Sequence, residues 1–149
     1  MLRRHEPCSD QGFGKLDRDG VAAAYPFGFG LGYTTFAMAD LEVVDPLDGD
    51  HFRVAVTVAN TGARPGRHVI QIYAVQSADT GRDVHHLIGF QTVALDAGTT
   101  ARVVVDCSVR PIQRWAGDGF TLAATAVTIR AGGYAGDPAA VEATLAVPS

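Results

Sequence analysis

Long apolar runs are missing from this 149-residue chain. Its longest uninterrupted stretches are a handful of residues, far short of the ~20 that a membrane-spanning helix needs. Cysteine is scarce: Cys8 and Cys107 lie far apart, which excludes a metal spacing, a redox pair and a disulfide framework. Basic excess is absent as well. Twelve basic against sixteen acidic side chains give a net charge of -4, and a nucleic-acid partner would need the opposite balance. The opening Met1-Leu2-Arg3-Arg4-His5 carries no apolar segment after its basic residues, so no secretory signal is read and a cytoplasmic location is expected. No phosphate-cradling glycine loop, nucleophile elbow or zinc spacing occurs, and no segment has convincing helical periodicity.

What is present is enough apolar material for a core. Apolar residues make up 47% and charged residues 19%, the balance of a single folded domain rather than a disordered chain. The chain divides near residue 36. Residues 1–35 hold clustered glycines among Phe13, Tyr25, Phe27, Phe29 and Tyr33, and are expected to form an irregular connector that wraps over a surface.

From Phe36 the period becomes two. Phe52, Val54, Val56 and Val58 alternate with Arg53, Ala55, Thr57 and Ala59, which predicts a strand with one buried face. Asn60-Thr61-Gly62 ends it: Asn60 can bond its own backbone two residues on, and Gly62 is expected at positive φ. Further strands are expected at 41–44, 68–75, 87–95, 101–107, 120–122, 126–131 and 141–147. Ile70, Ile72, Val103 and Val105 join the predicted core, and Cys107 reads as a small buried hydrophobe. Short strands between turns, with no helical crossovers, predict an antiparallel β-sandwich over residues 36–149.

The block Tyr25-Pro26-Phe27-Gly28-Phe29-Gly30-Leu31-Gly32-Tyr33-Thr34-Thr35-Phe36 resembles the signature that opens the C-terminal fibronectin type III-like domain of glycoside hydrolase family 3. Val56-Thr57-Val58-Ala59-Asn60-Thr61-Gly62, Gln71-Ile72-Tyr73, Leu87-Ile88-Gly89-Phe90 and Leu95-Asp96-Ala97-Gly98 follow in the family's order. The resemblance implies an immunoglobulin/fibronectin type III-like sandwich of about seven or eight strands. It also implies a non-catalytic accessory role, because the family's aspartate nucleophile and glutamate acid/base sit on domains that precede this one. In the family the aromatic segment lies between this module and the catalytic domains. Tyr25, Phe27, Phe29 and Tyr33 are therefore the candidate interaction surface.

The expected partner is a separate glycosidase catalytic chain, or a second copy, with self-packing and some dimerisation as the expected behaviour of the segment. The alternatives are a stand-alone carbohydrate-binding module, with Trp115 and Tyr134 (and Phe120 beside them) as stacking residues for a polysaccharide, or a split or remnant hydrolase subunit. No catalytic residue, cofactor or metal is expected. Asp45, Asp48 and Asp50 read as a solvated hairpin rather than a calcium loop. His85 and His86 read as an exposed polar loop, Ser9-Asp10 as a chance match to the nucleophile's context.

Overall fold

The computed structural model describes residues 21, 24–77 and 81–148. Most of the expected connector, including Cys8, Ser9 and Asp10, lies outside them. Among the described residues nine strands follow in order: β1 (Phe36–Asp48), β2 (His51–Asn60), β3 (Gly66–Ser77), β4 (Asp83–Leu95), β5 (Thr100–Ser108), β6 (Arg114–Trp115), β7 (Phe120–Thr121), β8 (Ala126–Gly132) and β9 (Val141–Ala146). One sheet has the order β1-β2-β5 and the other β4-β3-β8-β9, while β6 and β7 form a small hairpin of their own. Every pairing is antiparallel.

The period of two is what builds the core. Phe52, Val54, Val56 and Val58 of β2 face Ile70 and Ile72 of β3 across the interior, with Val105, Ile129 and Leu145 closing the layer. Each fully buried aliphatic side chain contributes roughly 1.5–3 kcal/mol through removal of apolar surface from water. Val103 is only partly buried, because β5 is the edge of its sheet. Cys107 is buried in the core and its thiol is pushed up to about 12 by burial, with Asp106 adding to it, so it packs as a neutral group.

β6 is not expected from the sequence, and β1 and β4 depart from its pattern. β1 is longer than 41–44 because a bulge between Ala39 and Glu42, with Asp40 at φ 52, shifts its phase. Phe36 and Met38 point inward before it, Leu41, Val43 and Leu47 after it. β4 runs through His85 and His86, so these lie half-buried in a strand and not in an exposed loop. Burial, reinforced by His85, holds the His86 imidazole below its ordinary value.

The Asn60 turn forms as expected, with the Gly62 N–H donating to Asn60 Oδ1 at 3.1 Å. Gly62 is not at positive φ, however. Its missing side chain is required by contact: a Cβ there would collide with the Thr34 hydroxyl. The Asp-rich turn has Gly49 at φ 58, with Asp45 paired to Arg53, and Asp50 held by Arg110 and Gln113.

Candidate functional site

Residues 24–33 form a strap laid on the outer face of the β4-β3-β8-β9 sheet. Pro26 to Phe29 make a tight turn, the Phe29 N–H donating to the Pro26 carbonyl at 3.0 Å. Gly28 at φ 82 occupies the third position, where a type II turn requires a positive φ. A Cβ at Gly28 would also collide with the Gln71 carboxamide. Glycine is demanded twice over.

Gln71 and Tyr73 project from β3 on the face opposite Ile70 and Ile72, yet both are buried, because the strap covers them. Gln71 Nε2 donates to the Gly28 carbonyl at 3.1 Å and to the Gly133 carbonyl at 2.6 Å. Its Oε1 accepts from the Tyr73 hydroxyl, which also reaches the Phe27 carbonyl at 3.5 Å. The Ala135 N–H donates to that same Phe27 carbonyl at 2.8 Å. One carboxamide thus bridges strap and β8–β9 loop. Asp137 shapes the loop by accepting from the N–H groups of Gly133 and Ala139, each at 2.9 Å.

Burial pushes the Tyr73 phenol up to about 12, so it stays a hydrogen-bond donor at neutral pH. The unfolded chain loses the protons of Tyr73 and Cys107 before the folded chain does. Stability is therefore expected to hold up to about pH 9 and to fall between about pH 9 and 12. Denaturant midpoints measured across that range check this, and Tyr73→Phe should flatten the fall.

The aromatics of the strap divide into two groups. Phe29 stacks on Tyr25 at 5.7 Å and meets the edge of Tyr134 at 5.2 Å, ring centre to ring centre. Phe27 is 42% exposed. Leu31 and Tyr33, in contrast, are 93% and 94% exposed. Leu31 carries no aromatic signal and is missed by sequence reading, which singles out only the rings. Phe90 of β4 lies opposite Gln71 on the same outer face and is 65% exposed.

Gly28→Ala is expected to release the strap while leaving the sandwich folded. Residues 24–33 should become protease-sensitive and the Phe29–Tyr134 contact should vanish from aromatic NMR spectra. A docked strap in the variant would show that Gln71 can yield.

Of the stacking residues expected from sequence, Trp115 and Phe120 come together, while Tyr134 stacks elsewhere. Tyr134 sits against Phe29 beside the Gly132 end of β8. Trp115 lies on the β6–β7 hairpin and meets Phe120 instead. Among the described residues no cluster of three or more His, Cys, Asp or Glu side chains could hold a metal ion.

Residues 68–135 match the family model of the fibronectin type III-like domain. The chain is 33% identical over 93 residues to a xylan 1,4-beta-xylosidase of Xylanibacter ruminicola, covering 62% of this chain and 11% of that protein. It is 37% identical over 95 residues to a periplasmic beta-glucosidase of Salmonella typhimurium, covering 61% of this chain and 12% of that one. The crystal structure of DesR, a beta-glucosidase from Streptomyces venezuelae, superposes with a TM-score of 0.79 at 29% identity, over 93% of this chain and 18% of that one. Beta-glucosidase 3B from Thermotoga neapolitana gives a TM-score of 0.74 at 31% identity, over 91% and 19%. The chain thus spans 11% and 12% of the length of these two curated relatives, in their C-terminal part.

Proposed function

We propose that this chain, which carries a fibronectin type III-like domain of the kind found in family 3 β-glucosidases, serves as a non-catalytic accessory module docked on a glycosidase catalytic domain. That catalytic domain belongs to the same polypeptide or to another, and the strap is the contact. The observation that carries this reading is the strap's double character. Its backbone is tied to Gln71 and Ala135, while Leu31 and Tyr33 are left almost wholly in solvent. Anchored at Phe27 and Gly28 on one side and by the Thr34 hydroxyl on Asn60 on the other, a short segment presenting apolar side chains suits an interface, because less freedom is lost on binding.

The carboxylates support the non-catalytic part. Retaining glycosidases need two free carboxyl groups ~5–5.5 Å apart across a substrate cleft. Here Asp45, Glu42 and Glu142 pair with arginines, and Asp137 holds a loop. Purified chain is expected to leave aryl β-glucosides and β-xylosides intact. It is expected to bind a family 3 catalytic domain prepared without its own fibronectin type III-like domain, and Leu31→Ser with Tyr33→Ser should abolish that binding. Turnover that disappears when one of this chain's own carboxylates is replaced overturns the non-catalytic reading. Unimpaired binding by the double variant overturns the strap's role, and a homodimer dissolved by the same replacements assigns the strap to a second copy.

A further inference from the structure

A second exposed aromatic feature lies at the other end of the sheet. The β6–β7 hairpin stands near Ser77 and Ala126, where β3 ends and β8 begins, away from the strap over Gln71 and Gly133. Its turn is closed by the Ala116 N–H donating to the Gly119 carbonyl at 2.8 Å, with Gly117 at φ 92. Trp115 and Phe120 are paired in register, their rings edge to face at 5.1 Å and 74°. The Arg110 guanidinium sits 3.6 Å over the centre of the Phe120 ring. Arg110 pairs with the Asp50 carboxylate at 3.4 Å, and Gln113 Nε2 donates to the same carboxylate at 2.7 Å.

Phe120 is thus braced, and Trp115 stands on it 62% exposed. An indole so large normally finds cover. Held by a closed turn and by a partner ring that a cation braces in its turn, this one is presented to solvent. Beside the aromatic pair lies a planar polar group: the half-exposed Arg110, with spare donors, and the Asp50 carboxylate, with spare lone pairs.

We propose that Trp115, Arg110 and Asp50 form a shallow platform for a β-linked pyranoside chain with equatorial hydroxyls. In such a sugar the axial C–H groups make a flat apolar face, which fits an indole, while the rim of hydroxyls both donates and accepts. Arg110 and Asp50 supply the matching pair beside the ring. One indole presents roughly 150–250 Å² at most, well under the ~800 Å² per partner of a stable protein interface, but about the footprint of one or two sugar rings. This site is independent of the strap.

Trp115 is the one tryptophan of the chain, so its fluorescence reads the platform directly. Titration with cellotetraose or xylotetraose is expected to change the emission saturably, with a dissociation constant on the order of millimolar for so small and shallow a site. Saturation-transfer NMR should detect the same oligosaccharides on the wild type, weakly on Trp115→Phe and not on Trp115→Ala, all three with the same melting temperature. Arg110→Ala should weaken binding at least tenfold. Absence of any saturable response to both sugars overturns the proposal. So does transfer that persists unchanged in Trp115→Ala.

Discussion

Asn60→Ala is expected to lower the stability of the domain by about 4 kcal/mol, read as a shift of the urea midpoint. Asn60 ends β2 and is buried with all of its side-chain bonds made. Its Nδ2 donates to the carbonyls of Arg64 at 2.8 Å and Leu95 at 3.1 Å. Its Oδ1 accepts from the Thr34 hydroxyl at 2.8 Å and from the Gly62 N–H at 3.1 Å. Three chain segments, around Thr34, the 62–64 turn and Leu95, meet on one carboxamide. Alanine leaves two donors and two acceptors without a partner, each costing roughly 1–3 kcal/mol if water does not replace the lost group. Thr34→Val removes one of the four bonds and should cost about 1 kcal/mol. Because that bond is already lost in Asn60→Ala, the double variant should cost less than the sum. A shift under about 1 kcal/mol for Asn60→Ala would mean that water takes over the carboxamide's bonds.

The second large effect is expected at Gly89, where the two sheets approach along one side of the sandwich. Gly89 of β4 pairs with Ile72, next to a bulge whose extra residue, Ile88, turns into the core. A Cβ on Gly89 would lie 2.6 Å from the Asp106 carbonyl oxygen and 2.8 Å from Cys107 Sγ. Neither distance is tolerable, and the first involves backbone that is itself locked into the β2–β5 ladder. Gly89→Ala should therefore cost about 3 kcal/mol, at the upper end of ordinary overpacking. Cys107→Ala introduced beside it would remove the sulfur contact and leave the carbonyl one, so only partial rescue is expected. Full rescue would locate the strain on the side chain alone.

β2 and β5 are legible in the sequence because their alternation is unbroken and one face is wholly apolar. β1 is legible only in part. The bulge at Asp40 changes which parity points inward, so Phe36 and Met38 belong to the same buried face as Leu41 and Val43 although no single period links them. β6 has two residues, too few to show any period. The aromatic strap is conspicuous in sequence, but what receives it is not. Gln71 and Tyr73 read as the outward residues of an ordinary strand, and their burial depends on contacts with residues more than forty positions away. Tyr134 and Trp115 look alike as exposed aromatics. Only the antiparallel run of β8 sends one to the strap and leaves the other at the far hairpin.

The strap also has a consequence for the order in which the molecule is made. The Gln71 bonds to Gly28 and Gly133 close loops of 43 and 62 residues, and their receiving surface does not exist until β3 and β8 have paired. Because they wait on that pairing, these contacts are expected to form after the rate-limiting barrier rather than at it. Loosening the strap then leaves the refolding rate almost unchanged and shows up as faster unfolding. The segment acts as a latch set last on an assembled sandwich, governing how long the domain stays folded more than how quickly it folds.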